Sequence, residues 1–327
     1  MLHPRWAAAA AALALLAACS GGGGSDGVDD PVAPVLTHAT VAGSASSATG
    51  YGSATPLGRL PDEINESSGI VASRRNPGSF WTHNDSGDAP LIYCLGPGAG
   101  SCGVWNVTGA DAIDWEDIAA GPGPVAQTPY LYLGDIGDNL VDRTTVVVYR
   151  VPEPVAGGGA AAPPRSAPAA TEAAETLRLR YPDGPHNAEA LLIHPTTGDL
   201  YIVAKETAPG VYVARAPISS TSTTTMTKVA TLPPTVFASN ASVVTGGDIS
   251  PDGRRVILCN YVEGLELRLP ADAASFDAVW QLAPVFVDIG LRVQGEAIAY
   301  RLDGKALLMT SESVGGLPTS LTQVAQR

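Results

Sequence analysis

Three glutamates open short stretches of similar build, each running into apolar residues: Asp114-Trp115-Glu116-Asp117-Ile118, Asn187-Ala188-Glu189-Ala190-Leu191 and Gly295-Glu296-Ala297-Ile298. Ser68, in Glu66-Ser67-Ser68-Gly69-Ile70, and Asp248, in Gly246-Gly247-Asp248-Ile249, stand in two further stretches of the same grammar. Carboxylate and hydroxyl oxygens gathered at one point form a hard donor set that suits Ca²⁺ better than a transition metal. Without a cation or protons, such carboxylates would repel one another. The alternative is that they cap loops, accept backbone hydrogen bonds or hold water.

A second group has the residue types of acid-base chemistry. In His83-Asn84-Asp85-Ser86-Gly87-Asp88, His83 offers a base or ligand and Asp85 its orienter. As structure, the same hexamer is an Asx-turn cluster closing a hairpin, the reading favoured for Asn84, Ser86 and Gly87. Asp135-Ile136-Gly137-Asp138-Asn139 resembles part of a calcium loop but lacks the later glutamate of an EF-hand. Arg143 and Lys205 are cations able to meet an anionic ligand or to pair with neighbouring acids. Asn260 and Glu312 complete the candidate ligand-binding set of Asn84, Asp88, Asp135, Asp138, Asn139, Arg143 and Lys205. No Gly-x-Ser-x-Gly elbow, P-loop or paired-histidine metal helix is present in the sequence.

These residues need elements to position them. The five stretches open equivalent series of short apolar strands, and the turns Pro195–Gly198, Pro251-Asp252-Gly253 and Leu302-Asp303-Gly304 recur between first and second strands. The series predicts an all-β propeller of five blades, with six as the alternative if the connections at 154–174 or 216–245 hide strands. The last blade ends one strand short, and a strand within 54–64 would close the ring and remove its open edge. A two-sheet sandwich would not explain why the acidic signature and the Asp-Gly turn recur in phase. In a propeller, first-strand starts and second-strand ends meet at one mouth of the central channel, which is where both groups fall. The predicted fourth strand of blade four covers 279–287. Trp81, Trp105 and Trp115 belong to the blade core, since each sits in or beside an apolar strand.

Composition agrees with that fold and sets an address. Of 327 residues, 45% are apolar and 16% charged, with Gly 36 and Pro 27, a balance for short strands and turns rather than long helices. A formal net charge of −13 argues against a nucleic-acid partner, since phosphate binding needs a basic stripe. Residues 1–19 read as a signal peptide too short to span a bilayer, ending in Leu16-Ala17-Ala18-Cys19, which resembles the bacterial lipobox with Cys19 as the lipidated residue. Residues 20–53 are a Gly/Ser/Ala linker, and 54–327 form the single propeller domain. The expected protein is therefore exported and monomeric, anchored to the outer or cytoplasmic membrane through its lipid, facing the periplasm or the surface. Cys94 and Cys102 fall on neighbouring antiparallel strands and can bridge, while Cys259 sits in an apolar run as a buried hydrophobe.

Taken together, Glu66–Gly69, Trp81–Gly87, Asp114–Asp117, Gly134–Asn139, Asn187–Ala190, Thr245–Asp248 and Gly295–Ile298 resemble a widespread family of exported bacterial propeller proteins of unassigned activity. That resemblance implies the fold over about residues 62–325 and no reaction. The order Ser68, Glu116, Glu189, Glu296 is similar to the axial calcium ring of the five-bladed calcium-activated nucleotidases (apyrases), which implies Ca²⁺ and nucleotide phosphoester hydrolysis. Blade four departs from it with Gly247, and Asp248 one residue on faces the other way in a regular strand. Three functional readings follow: a tethered propeller binding a small-molecule or protein ligand with Ca²⁺ at the mouth, a calcium-dependent phosphoester hydrolase, and a non-catalytic scaffold.

Overall fold

The computed structural model describes residues 50–327 apart from 158–160, 238–242, 293, 314, 316 and 317. The signal segment, Cys19 and all but the last residues of the linker lie outside the described residues. Tyr51, assigned to the linker from sequence, is buried; it bridges to Gln326, and its hydroxyl donates to Glu266 at 2.7 Å.

Five sheets form a five-bladed β-propeller. From the inside outwards, blade one comprises Ser67–Ala72, Phe80–Asn84, Leu91–Leu95 and Ser101–Asn106; blade two, Trp115–Pro122, Pro129–Asp135, Val146–Pro152 and Glu175–Arg180. Blade three comprises Ala188–Ile193, Leu200–Ala204, Gly210–Ala214 and Thr227–Thr231; blade four, Gly246–Ile249, Arg255–Cys259, Gly264–Arg268 and Val285–Val287. Blade five has Gly295–Tyr300, Ala306–Ser311 and Ser320–Ala325, and takes its outer strand, Thr55–Arg59, from the start of the domain. The innermost strands pack in ring order, the fifth returning to the first. The closure expected from sequence is the one observed.

The strands read as apolar runs because both of their faces are covered. Along Leu91–Leu95, alternate residues Leu91, Tyr93 and Leu95 pack against blade five, while Ile92 and Cys94 pack against blade two. The period-two alternation of a strand thus feeds two cores, and each inter-blade interface has its own cluster. Trp81, Trp105 and Trp115 lie in the cluster between blades one and two. The turn between first and second strands is built alike around the ring. Gly78, Gly198, Gly253 and Gly304 all adopt φ between +65° and +80°, with Gln127 at +63° in blade two. Glycine meets that left-handed requirement without steric cost, which is why the Asp-Gly turn recurs in phase.

The connections between third and fourth strands protect the edge of the preceding blade. Ala169–Ala170, from blade two, pairs in parallel with the outer strand of blade one, and Thr224–Thr225, from blade three, with that of blade two. In blade four the same connection forms the 3₁₀ helix Phe276–Gln281, whose Val279 and Trp280 bury against blade three. This corrects the long strand expected over 279–287: side-chain burial across the interface holds Val279 and Trp280, and only Val285–Val287 pairs in the sheet. Cys94 and Cys102 form a disulfide across adjacent strands, and Cys259 is a buried free thiol.

Candidate functional site

The mouth is shaped by one irregularity repeated four times. In blade one Ser67 pairs with Asn84 and Gly69 with His83, so Ser68 is an extra residue with no cross-strand partner of its own. The same step isolates Glu116 between Trp115 and Asp117, Glu189 between Ala188 and Ala190, and Glu296 between Gly295 and Ala297. A β-bulge of this kind turns its extra side chain away from the pleat. In blade four the pairing runs without a shift through Gly246, Gly247 and Asp248. The ring therefore presents four side chains, with a gap at Gly247.

Ser68, Glu116, Glu189 and Glu296 are all buried, and the glutamates feel one another across the channel. Burial, followed by the charges of Glu189, Asp85, Asp114 and Glu296, pushes the Glu116 carboxyl well above the usual range. Burial does the same to Glu296, reinforced by Glu312 and Glu189 and opposed by Lys205. Glu189 is pushed by burial up to about 7 despite its ion pair with the Lys205 ammonium. Burial works against the charge of Lys205, yet Glu189 and Tyr261 hold it above the ordinary lysine range, and the ammonium lies 5.5 Å from the Tyr261 ring centroid. Asp85 and Asp114 are each displaced to about 6, by burial first and then by neighbouring acids. Glu312, whose carboxylate accepts from the Gln294 amide at 2.8 Å, is raised chiefly by burial. One carboxylate oxygen from each of Asp85, Asp114 and Glu116 lies within 4.8 Å of the other two.

Other sequence candidates are held in structural roles. Asp248 is corrected from the metal set: its carboxylate accepts from the Tyr300 and Ile249 backbone N–H groups at 2.9 and 2.8 Å, clamping blade four to blade five. Asp117 does the equivalent for blades two and three, accepting from Leu191 and Ile118 at 2.9 and 2.8 Å. Asp117 follows the bulge of blade two and Asp248 stands in the unbroken ladder of blade four, and in both the carboxylate is turned to the inner strand of the next blade. Ser68 donates its hydroxyl proton to the Glu116 carbonyl at 2.7 Å, which ties the inner strands of blades one and two together at their starts.

His83 sits in the interface between blades one and two, edge-on to Trp115 at 5.7 Å between centroids, with Nδ1 bonded to the Asn84 carbonyl at 2.8 Å. Burial lowers it to about 4, which keeps the imidazole neutral, and the side chain is fully buried among the blade-interface residues rather than open to the mouth. Asp88 accepts from both Arg165 guanidinium nitrogens and from Asn84 and Tyr93, tying the blade-one hairpin together. Asp135 pairs with Arg143 at 2.8 Å, and Asp138 accepts from the Asp142 and Arg143 N–H groups. Asn139 meets Asn187, and Asn260 caps its turn by accepting from Val262 and Glu263.

The structure thus gathers Ser68, Asp85, Glu116, Glu189, Lys205, Glu296 and Glu312 at the mouth and distributes the others around it. It also adds Asp114 and Tyr261, which were not among the sequence candidates. Asp114 was open to detection as a second acid two residues before Glu116 in the same strand-start stretch, and the structure brings the two carboxylates together over Gly137. Tyr261 stands at a second-strand end, which topology brings to the mouth, but its contact with Lys205 joins separate blades and was not legible in the sequence. No family model matches this chain, and no curated protein matches it.

Proposed function

We propose that this protein is a binding propeller whose mouth takes Ca²⁺, and with it a ligand, at the ring of Glu116, Glu189 and Glu296. The repeated bulge supports the reading: four blades interrupt their ladders at the same step to turn an oxygen-bearing side chain inward. Buried carboxylates at elevated pKa are costly to ionise, and a hard divalent cation with oxygen donors offsets that cost. Ser68 supplies a neutral oxygen, and Asp85 and Asp114 extend the donor set toward the rim. Bound Ca²⁺ supplies positive charge able to recruit an anionic ligand group. His83 lies in the core, so a hydrolytic reading with this residue as general base has no geometric support. The Cys94–Cys102 disulfide suits the exported, lipid-anchored location read from the sequence.

Thermal unfolding in EDTA, Mg²⁺ and Ca²⁺ tests the proposal. A Ca²⁺ concentration about a hundredfold above Kd should raise Tm by about 5 °C, and Glu116→Gln should abolish the rise. An identical Tm with and without millimolar Ca²⁺, together with no heat of binding by calorimetry, would remove the axial site.

A further inference from the structure

Beside the ring, blade two displays large apolar side chains in water. Leu140 is 83% exposed, Ile113 64% and Val141 51%, and all three belong to loops on the mouth face. Nothing about the loops themselves is loose. The buried Asp135 carboxylate ties the two together, accepting from the Ile113 and Asp114 N–H groups on one side and from Arg143 on the other. Arg143 also donates to the Gly137 carbonyl at 2.6 Å, and the buried Asp138 accepts the N–H groups of Asp142 and Arg143. The adjoining turn is closed by Val141 N–H on the Asp138 carbonyl at 2.9 Å. Val141 itself is held at φ +53°, a conformation that a β-branched residue adopts only when its surroundings impose it. Buried polar groups are spent here on holding apolar side chains outward, the reverse of their usual use.

The same loop carries the acidic group. Asp114 follows Ile113 directly, and Asp114 and Glu116 crowd the Gly137 backbone so closely that a Cβ there would overlap both carboxylates. Three exposed apolar side chains thus stand on two loops that Asp135 ties together, and the residue after Ile113 belongs to a cluster of three carboxylates, Asp85, Asp114 and Glu116, on a strongly acidic chain. The complement to that surface is a cation next to a hydrophobic group.

We infer that the ridge of Ile113, Leu140 and Val141, with Asp85 and Asp114, is a docking site for a polypeptide segment that carries a lysine or arginine beside an apolar side chain. The basic head meets the carboxylates and the apolar neighbour covers Leu140 and Val141, whose exposure the folded chain does not otherwise relieve. This site does not require the axial cation, and is tested in EDTA so that the two proposals fail separately.

The test uses fluorescence anisotropy on the full chain at low ionic strength, with three labelled peptides: Gly-Leu-Lys-Leu-Arg-Gly, its apolar-free form Gly-Ser-Lys-Ser-Arg-Gly, and the acidic Gly-Leu-Glu-Leu-Glu-Gly. The first should bind at least tenfold more tightly than either control. Leu140→Ser and Asp114→Asn should each weaken it about tenfold, while thermal melting confirms that both variants are folded. Equal binding of the two basic peptides would overturn the proposal in favour of unspecific charge attraction. Unchanged affinity in folded Leu140→Ser would overturn it as well. Concentration-dependent dimerisation abolished by Leu140→Ser would assign the ridge to a second copy of this chain instead.

Discussion

Blade two and blade four share an aspartate that clamps the next blade and differ at the residue before it. Asp117 and Asp248 make matching pairs of backbone hydrogen bonds to the inner strand that follows, and both are raised by burial, Asp248 to about 7. In blade two the preceding Glu116 is expelled by a bulge toward the channel, whereas Gly247 in blade four stays in a regular ladder. Blade four has no room for anything else. A Cβ at Gly246 would overlap the Glu296 carbonyl oxygen, and one at Gly247 would lie 2.7 Å from Leu258 Cδ2 and 2.9 Å from the Ile257 carbonyl oxygen. The comparison separates two uses of one signature: the aspartate holds the ring together, and the bulged residue furnishes the candidate site.

The largest expected effect tests the claim that the mouth stores electrostatic cost. The folded state holds protons on Glu116, Glu189 and Glu296 that the unfolded chain releases above about pH 4, so stability should fall as pH rises through the window up to about 7. For the displacement of Glu189 alone this is of order 3 kcal/mol, reduced by whatever water reaches the mouth. Denaturant unfolding at pH 4.5 and 7.5 measures it, and in Glu116→Gln the fall should be shallower. A stability that rises over this window would contradict the assignment.

Next in size is Gly246→Ala, which forces backbone against backbone and should cost about 3 kcal/mol by chemical denaturation. Glu116→Ala, at the bulge of blade two, should cost far less and leave the protein no weaker at pH 7.5 without Ca²⁺. If both substitutions prove equally harmful, the contrast between a packed and a bulged strand start is wrong.

The smaller effect concerns the shared clamp. Asp117→Ala and Asp248→Ala should each lose about 2 kcal/mol, because each strands buried N–H groups. Hydrogen exchange should show the loosened protection at Leu191 in the first variant and at Tyr300 in the second. A loss confined to one of them would end the equivalence of the two aspartates.

Much of the fold was legible because its causes are local. Turn glycines in phase, the repeated strand-start signature and one missing outer strand pointed to five blades, with six as the alternative, and to a closing strand within 54–64, which is Thr55–Arg59. The strand expected over 279–287 begins too early because Val279 and Trp280 are apolar in either conformation, and packing against blade three places them in the 3₁₀ helix instead. The candidate site was legible only as a neighbourhood. His83 and Asp85 are two residues apart, yet one is a core imidazole and the other a rim carboxylate, as their contrasting environments show.

The sequence alone determined the repeat, a count of five or six blades and the side of the disc on which the acids gather, since the recurring strand-start signature and turn chemistry act within a few residues. Tertiary structure alone decided which acids face the channel. A single extra residue in a strand reverses the faces of everything beyond it, and whether that residue is accommodated depends on the pairing strand and the next blade. Glu116 and Asp117 are neighbours of the same charge, yet the bulge leaves Glu116 without a cross-strand partner while Asp117 accepts from the next blade as Asp248 does without a bulge.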